Sequence, residues 1–171
     1  KESDVITDQK VMAVVGWQLA EGGSTVTPGS YNGLNVAKDN PKLQADLNPV
    51  YNHVYADGNQ HPAFKNLDQG VESNVRFIEK DHYSRLRTML LDPTLTADKF
   101  VQNFDNKSYN GATGQLTWAA GGYLDNFNKI IKGFEGNPAA KQRAYSTPIL
   151  GDRSKQALKA MGVTTQDNIT K

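Results

Sequence analysis

Glu21 is the residue of this chain whose position most directly suggests acid–base chemistry. It closes the apolar run Val11-Met-Ala-Val-Val-Gly-Trp-Gln-Leu-Ala20, is the first charge after Lys10, and is followed at once by Gly22-Gly23. A carboxyl group on the end of an apolar helix lies beside low-dielectric surface and near the negative end of the helix dipole. Trp17 stands one turn back on the same face. Each effect disfavours the ionised form, so the spacing predicts a carboxyl group with a raised pKa. A glutamic acid that keeps its proton near neutrality is the group needed to protonate a leaving sugar oxygen. The alternative is a helix that merely ends in Glu-Gly with its carboxylate in water.

The other candidate groups are aromatic rings and amides. Trp17, Tyr31, Asn32, Asn35, Trp118 and Tyr123 are the side-chain types that stack on sugar rings or bond to hydroxyl and N-acetyl groups. Each of them taken alone also fits packing or plain surface. Gly22 and Gly23 would let a polymer approach the backbone beside the acid. Other chemistries lack their residues. There is no Gly-x-Ser-x-Gly elbow, and no phosphate loop, Gly-x-Gly-x-x-Gly or His-Glu-x-x-His. The chain has no cysteine, so disulfides, thiolate metal sites and a thiol nucleophile are excluded together. His53 and His61 with Asp57 between them match no ligand spacing and read as surface residues; His82 falls in an apolar stripe and reads as a core histidine. Asp105 to Gly111 lacks the acids of a calcium loop. No cofactor or metal is expected.

The elements that must position these residues are helical. The run from Val11 to Ala20, capped by Thr7 or Asp8, reads as a helix buried nearly all round, because a surface helix would carry charges on one face. A long connection rich in Gly, Pro and Asn then runs from 22 to about 65, with a turn of helix expected within Leu43 to Tyr55. Asn66 or Asp68 caps a second helix, whose stripe Val71, Val75, Ile78, His82, Leu86, Met89 and Leu90 runs unbroken to Asp92-Pro93. Glu72 and Arg76 make a favourable pair on its other face. Thr96 caps a short helix through Phe104, Asp105 to Gly114 reads as a polar loop, and a further helix falls between Thr117 and Phe134. Gly133 to Pro148 reads as a loop, and Arg153 to Met161 as a last helix closed by Gly162. Strands are expected only as short pairs within 24–36.

The length of 171 residues and mass of 18.8 kDa fit one domain, spanning 1–171. Mean hydropathy of −0.61 and the lack of a long apolar run exclude membrane insertion. No initiator Met or signal peptide is present, as expected of a processed product or an excised domain. The net charge of +1 is uneven: residues 129–171 carry 8 Lys and Arg against 3 Asp and Glu. Such a basic end suits a solvated helix surface or contact with an anionic polymer such as a bacterial cell wall. Nucleic-acid binding would require a more clustered patch with interleaved aromatics.

The run Ala20-Glu21-Gly22-Gly23, followed by Tyr31-Asn32-Gly33-Leu34-Asn35, resembles the lysozyme-like domains of phage tail, tape-measure and prophage proteins. There a helix ends in Ala-Glu-Gly-Gly and a loop carries Asn-Pro-Leu-Asn. Phe64, Gly70-Val71, Tyr83 and Leu86 resemble the Phe…Gly-Ile…Tyr…Leu segment of that family. Trp118, Tyr123 and Ile130 are similar to the closing helix of lytic transglycosylases and glucosaminidases. The likeness covers about residues 11–131 and departs from the family at Gly33, which replaces its Pro, and in the longer stretch 36–64. It implies a mainly α, lysozyme-like domain with a groove for peptidoglycan or a related β-1,4-linked amino-sugar polymer, and Glu21 as catalytic acid. It also implies a place outside the cell at the wall, or in a phage particle.

A hydrolase would need a second carboxylate, about 5 Å away in a retaining enzyme or about 6.5–9.5 Å in an inverting one. Asp39, Asp46, Asp57 and Asp105 are the loop candidates. Lytic transglycosylases work with one Glu, and no second acid lies close to Glu21 in sequence, which favours that scheme. A non-catalytic glycan-binding module, or a structural domain of a phage or cell-surface protein, is the alternative to an enzyme.

Overall fold

The computed structural model describes residues 6–21, 31, 34, 45–47, 50–54, 60–80, 83–106, 108–113, 123–146 and 151–163. Among them the chain is mainly helical. The helices are α1 (Asp8–Ala20), α2 (Leu67–Ile78), α3 (Ser84–Leu91), α4 (Ala97–Asn103), α5 (Tyr123–Gly136), α6 (Pro138–Ser146) and α7 (Gly151–Ala160). Two antiparallel hairpins pair β1 (Val50–Val54) with β2 (Gln60–Ala63), and β3 (Ser108–Tyr109) with β4 (Ala112–Thr113).

Helix α1 is the centre of the core. Thr7 caps it, its hydroxyl accepting from the Lys10 amide at 3.2 Å, and every residue from Lys10 to Gln18 is buried. Helices α4, α5 and α7 pack around it. Helix α5 crosses closely at Gly16, where an added Cβ would lie 2.5 Å from Ile131 Cδ1 and 3.0 Å from Phe127 Cε2. Helix α7 is tied in by a buried hydrogen bond from Gln18 Nε2 to Ser154 Oγ. Gly162 then takes φ +92 and closes α7, with the Val163 amide donating back to Leu158 O at 3.0 Å.

The caps at Thr7, Asn66 and Thr96, the Glu72–Arg76 pair and the stop at Asp92-Pro93 stand where the sequence places them. Four expectations are corrected. The single helix through Leu90 is two helices, α2 and α3, with His82 outside the described residues. The reason lies in Phe77 and Tyr83, both buried, with ring centroids 4.9 Å apart. On one straight helix they would point about 120° apart, so the chain tightens and turns, Lys80 N donating to Phe77 O and Tyr83 N to Lys80 O.

The polar loop after Asp105 contains the β3–β4 hairpin, turned by Asn110 (φ 45) and Gly111 (φ 83). Asn-Gly is the dipeptide that a two-residue turn with both φ positive demands. The stretch from Gly133 to Pro148 is largely helical, because Pro138 suits a first helical position and the Asn137 side chain accepts from the Ala140 amide at 3.0 Å. The turn of helix expected within Leu43 to Tyr55 is present as the 3-10 turn Ala45–Leu47. Strands, expected only within 24–36, occur outside it: β1 is paired with β2 in the register Val50↔Ala63, His53↔His61, Val54↔Gln60 and bulged between Val50 and His53. Most of the 24–36 loop lies outside the described residues.

Asp92 ties the β3–β4 hairpin to the turn between α3 and α4. Its Oδ1 accepts from the Thr94 amide at 2.7 Å and the Thr94 hydroxyl at 2.8 Å, and its Oδ2 from the Tyr109 hydroxyl at 2.5 Å. Partial burial pulls the Asp92 carboxyl upward, but these donors outweigh it and hold the group below the ordinary carboxylate value. Tyr109, partly buried and facing that carboxylate, is pushed up to about 12. Asp92→Ala is expected to cost about 1–2 kcal/mol in urea unfolding near neutrality, allowing for solvent screening. Because the folded-state pKa is depressed, this contribution is present above the unfolded value of about 4 and fades as pH falls through the folded one. The wild-type and variant stabilities should therefore converge in strong acid. Tyr109 keeps its proton longer in the folded state, so its share is lost between about 10 and about 12. A gap that persists unchanged in acid would contradict this account of Asp92.

Candidate functional site

Glu21 is the C-cap of α1, with φ −77 and ψ 4, and its amide donates to Trp17 O at 3.0 Å. The residue is half-buried, as are Leu19 and Ala20, which separate it from the unbroken buried stretch of the helix. Its backbone is thus fixed by the most enclosed element of the fold. This is the position from which a carboxyl group can meet a ligand at the edge of the core.

Trp17 is 0% exposed. Its ring lies 5.8 Å from Phe100 and 5.3 Å from Phe104, and Phe104 stands 5.5 Å from Phe127, so one aromatic cluster joins α1, α4 and α5. The expected stacking of Trp17 on a sugar finds no exposed face here; the ring packs the core. The cause is that Phe100 and Phe104, brought against α1 by α4, close over the ring.

Tyr31 is half-buried, with a left-handed backbone at φ 51, and its carbonyl lies against the first turn of α2. A Cβ added at Gly70 would stand 2.0 Å from Tyr31 O. Leu34, three residues on, is buried in the same core as α1. Tyr123 begins α5. Asn32, Asn35 and Trp118 lie outside the described residues.

Of the candidate second carboxylates, Asp46 is held by Arg76 through two bonds, Nη1 to Oδ1 at 2.7 Å and Nη2 to Oδ2 at 3.0 Å. The guanidinium bonds keep the Asp46 carboxyl below its ordinary range. The same Arg76 donates Nε to Glu72 at 2.6 Å, and the two acids hold its own pKa above the usual arginine value. The 45–47 turn is therefore fastened to α2. Asp105 is half-buried, one of its oxygens has no hydrogen-bond partner among the described residues, and its charge acts on buried Arg85. Burial lowers the Arg85 pKa, while Asp105 opposes that shift. Arg85 Nη1 donates to Asn103 O at 2.7 Å, placing a cation at the C-terminal end of α4. Asp39 and Asp57 lie outside the described residues. No group of three or more metal-ligating side chains occurs among the described residues.

No protein-family model matches the chain, and no characterised protein or solved structure matches it significantly. The geometry and the chemistry of its residues therefore carry the functional reading.

Two residues with a bearing on the site go beyond what local spacing signals. Gly70 reads as an ordinary early-helix glycine until Tyr31 is found on top of it, and Asp46 meets Arg76 across 30 residues of chain. The burial of Trp17 generates a test. Trp17→Ala should cost about 3–5 kcal/mol in urea unfolding, the range for emptying a buried aromatic position. A loss below about 1 kcal/mol would contradict the packing role.

Proposed function

We propose that this chain cleaves the β-1,4-linked glycan strand of peptidoglycan, as a lysozyme-like muramidase or lytic transglycosylase, with Glu21 as general acid. The observation that carries the reading is the place of Glu21: a half-buried residue on the cap of a helix buried from Lys10 to Gln18. Its backbone is anchored at the edge of the core, the place from which a carboxyl group can be directed at a leaving oxygen. Tyr31, half-buried in the segment that follows, is the described side chain that remains suited to stack on a sugar ring.

Arg76 occupies Asp46, one of the four candidate second carboxylates, and a scheme with Glu21 alone needs none of them. Glu21 first gives its proton to the glycosidic oxygen. It then takes one from the muramyl 6-hydroxyl as that hydroxyl attacks the anomeric carbon, leaving an anhydro product. The reading places the protein at the cell wall or in a phage particle. No helix among the described residues is long and apolar enough to cross a membrane.

Mass spectrometry of fragments released from purified peptidoglycan tests this, with Glu21→Gln alongside. Anhydromuramyl fragments from the wild type and none from the variant are expected. Reducing-end fragments would replace the one-carboxylate scheme with hydrolysis. Release by neither protein from several wall types would overturn the enzyme and leave a glycan-binding or structural domain.

A further inference from the structure

Gly70 is the fourth residue of α2, and its amide makes the regular helical bond to Asn66 O at 3.3 Å. The turn around it is fixed from both directions: Asn66 Oδ1 accepts from the Gln69 amide at 2.9 Å, and Gln69 Oε1 accepts from the Lys65 amide at 3.2 Å. At such a position alanine ordinarily strengthens a helix. Here its Cβ would stand 2.0 Å from Tyr31 O and 2.9 Å from both the carbonyl carbon and the Cβ of Tyr31. The nearest atoms belong to backbone, so no side-chain rotation relieves the overlap.

Tyr31 itself is in the left-handed region at φ 51, which a bulky residue adopts only where its surroundings hold it there. The hold has two points. One is the seat on Gly70; the other is Leu34, buried in the core that also contains α1. Between them the residue stays half-buried rather than wholly enclosed.

We propose that Gly70 is a positioning residue of the glycan site: its missing side chain seats the Tyr31 backbone on α2 and so fixes where the Tyr31 ring meets a sugar. The proposal rests on the glycan-cleaving reading. Gly70 touches no substrate and acts through Tyr31. The aromatic ring supplies a stacking face, and α2, capped and tied to the 45–47 turn through Arg76, supplies a rigid seat.

The test is a double-mutant cycle of wild type, Gly70→Ala, Tyr31→Gly and the double variant, measuring kcat and apparent KM for fragment release from peptidoglycan. Glycine at 31 keeps the left-handed backbone free of strain while removing the ring. Each single change should raise KM on the order of ten-fold, the loss of one stacking contact, with kcat little altered. The double variant should be no worse than Tyr31→Gly, because the seat then has nothing left to position. Multiplying effects would mean that Gly70 serves general stability, and would overturn the proposal. Unchanged KM in Gly70→Ala would overturn it as well. Should Gly70→Ala fail to fold, amide hydrogen exchange decides. A peptidoglycan fragment should slow exchange at residues 31 and 70 together in the wild type and not in Tyr31→Asn, whose asparagine tolerates the same backbone. A fragment that leaves both amides unchanged overturns the proposal. A wild type that releases no fragments brings down the glycan reading together with this one. A wild type that cleaves while the variants keep its KM brings down this one alone.

Discussion

Burying α1 on every side is the constraint from which the other helices take their places. A helix with an unbroken buried stretch from Lys10 to Gln18 needs neighbours all round it, and α4, α5 and α7 supply them. The approach of α5 is close enough that a Cβ at Gly16 would press on Ile131 and Phe127, and Trp17 packs against Phe100 and Phe104 at α4. Close packing of this kind transmits position well, since neither helix can slide without opening a void. Glu21 inherits that rigidity as the next residue beyond the enclosed helix and its last turn.

The long connection after Glu21 is fixed differently. Where described, it is fastened at separate points: Tyr31 on Gly70, Leu34 in the core, and Asp46 on Arg76. Two of these anchors lie on α2, so that helix serves as the bed of the connection as well as a wall of the core. Asp92 performs a comparable task for the β3–β4 hairpin, with donors from Thr94 and Tyr109 converging on one carboxylate. Polar ties of this sort hold loops that have too little apolar surface to hold themselves.

What could be read from the sequence was what local chemistry decides. The buried helix, the caps at Thr7, Asn66 and Thr96, and the stop at Gly162 each depend on a few adjacent residues. Asn110-Gly111 and Asn137-Pro138 carried equally local signals for a hairpin and a helix start, and composition alone disguised them as loops. The break between α2 and α3 was hidden because His82 continues the apolar spacing, while the rings that force the turn, Phe77 and Tyr83, lie off that stripe. Of the candidate site, the end of α1 at Glu21 was legible from the adjacent Gly22-Gly23. The burial of Trp17 and the seat at Gly70 were not, because both depend on partners distant in sequence.

In the proposed reading a glycan strand lies against the end of α1 with its scissile oxygen at residue 21. Its most direct test is a crystal structure of the Glu21→Gln protein with a peptidoglycan fragment several sugars long. A glycosidic oxygen is expected within about 2.6–3.2 Å of the residue 21 side chain, the reach needed for proton transfer, with a sugar ring stacked on Tyr31. A fragment bound with its glycosidic bonds away from residue 21 would contradict the assignment of Glu21, as would crystals that bind no fragment at saturating concentration.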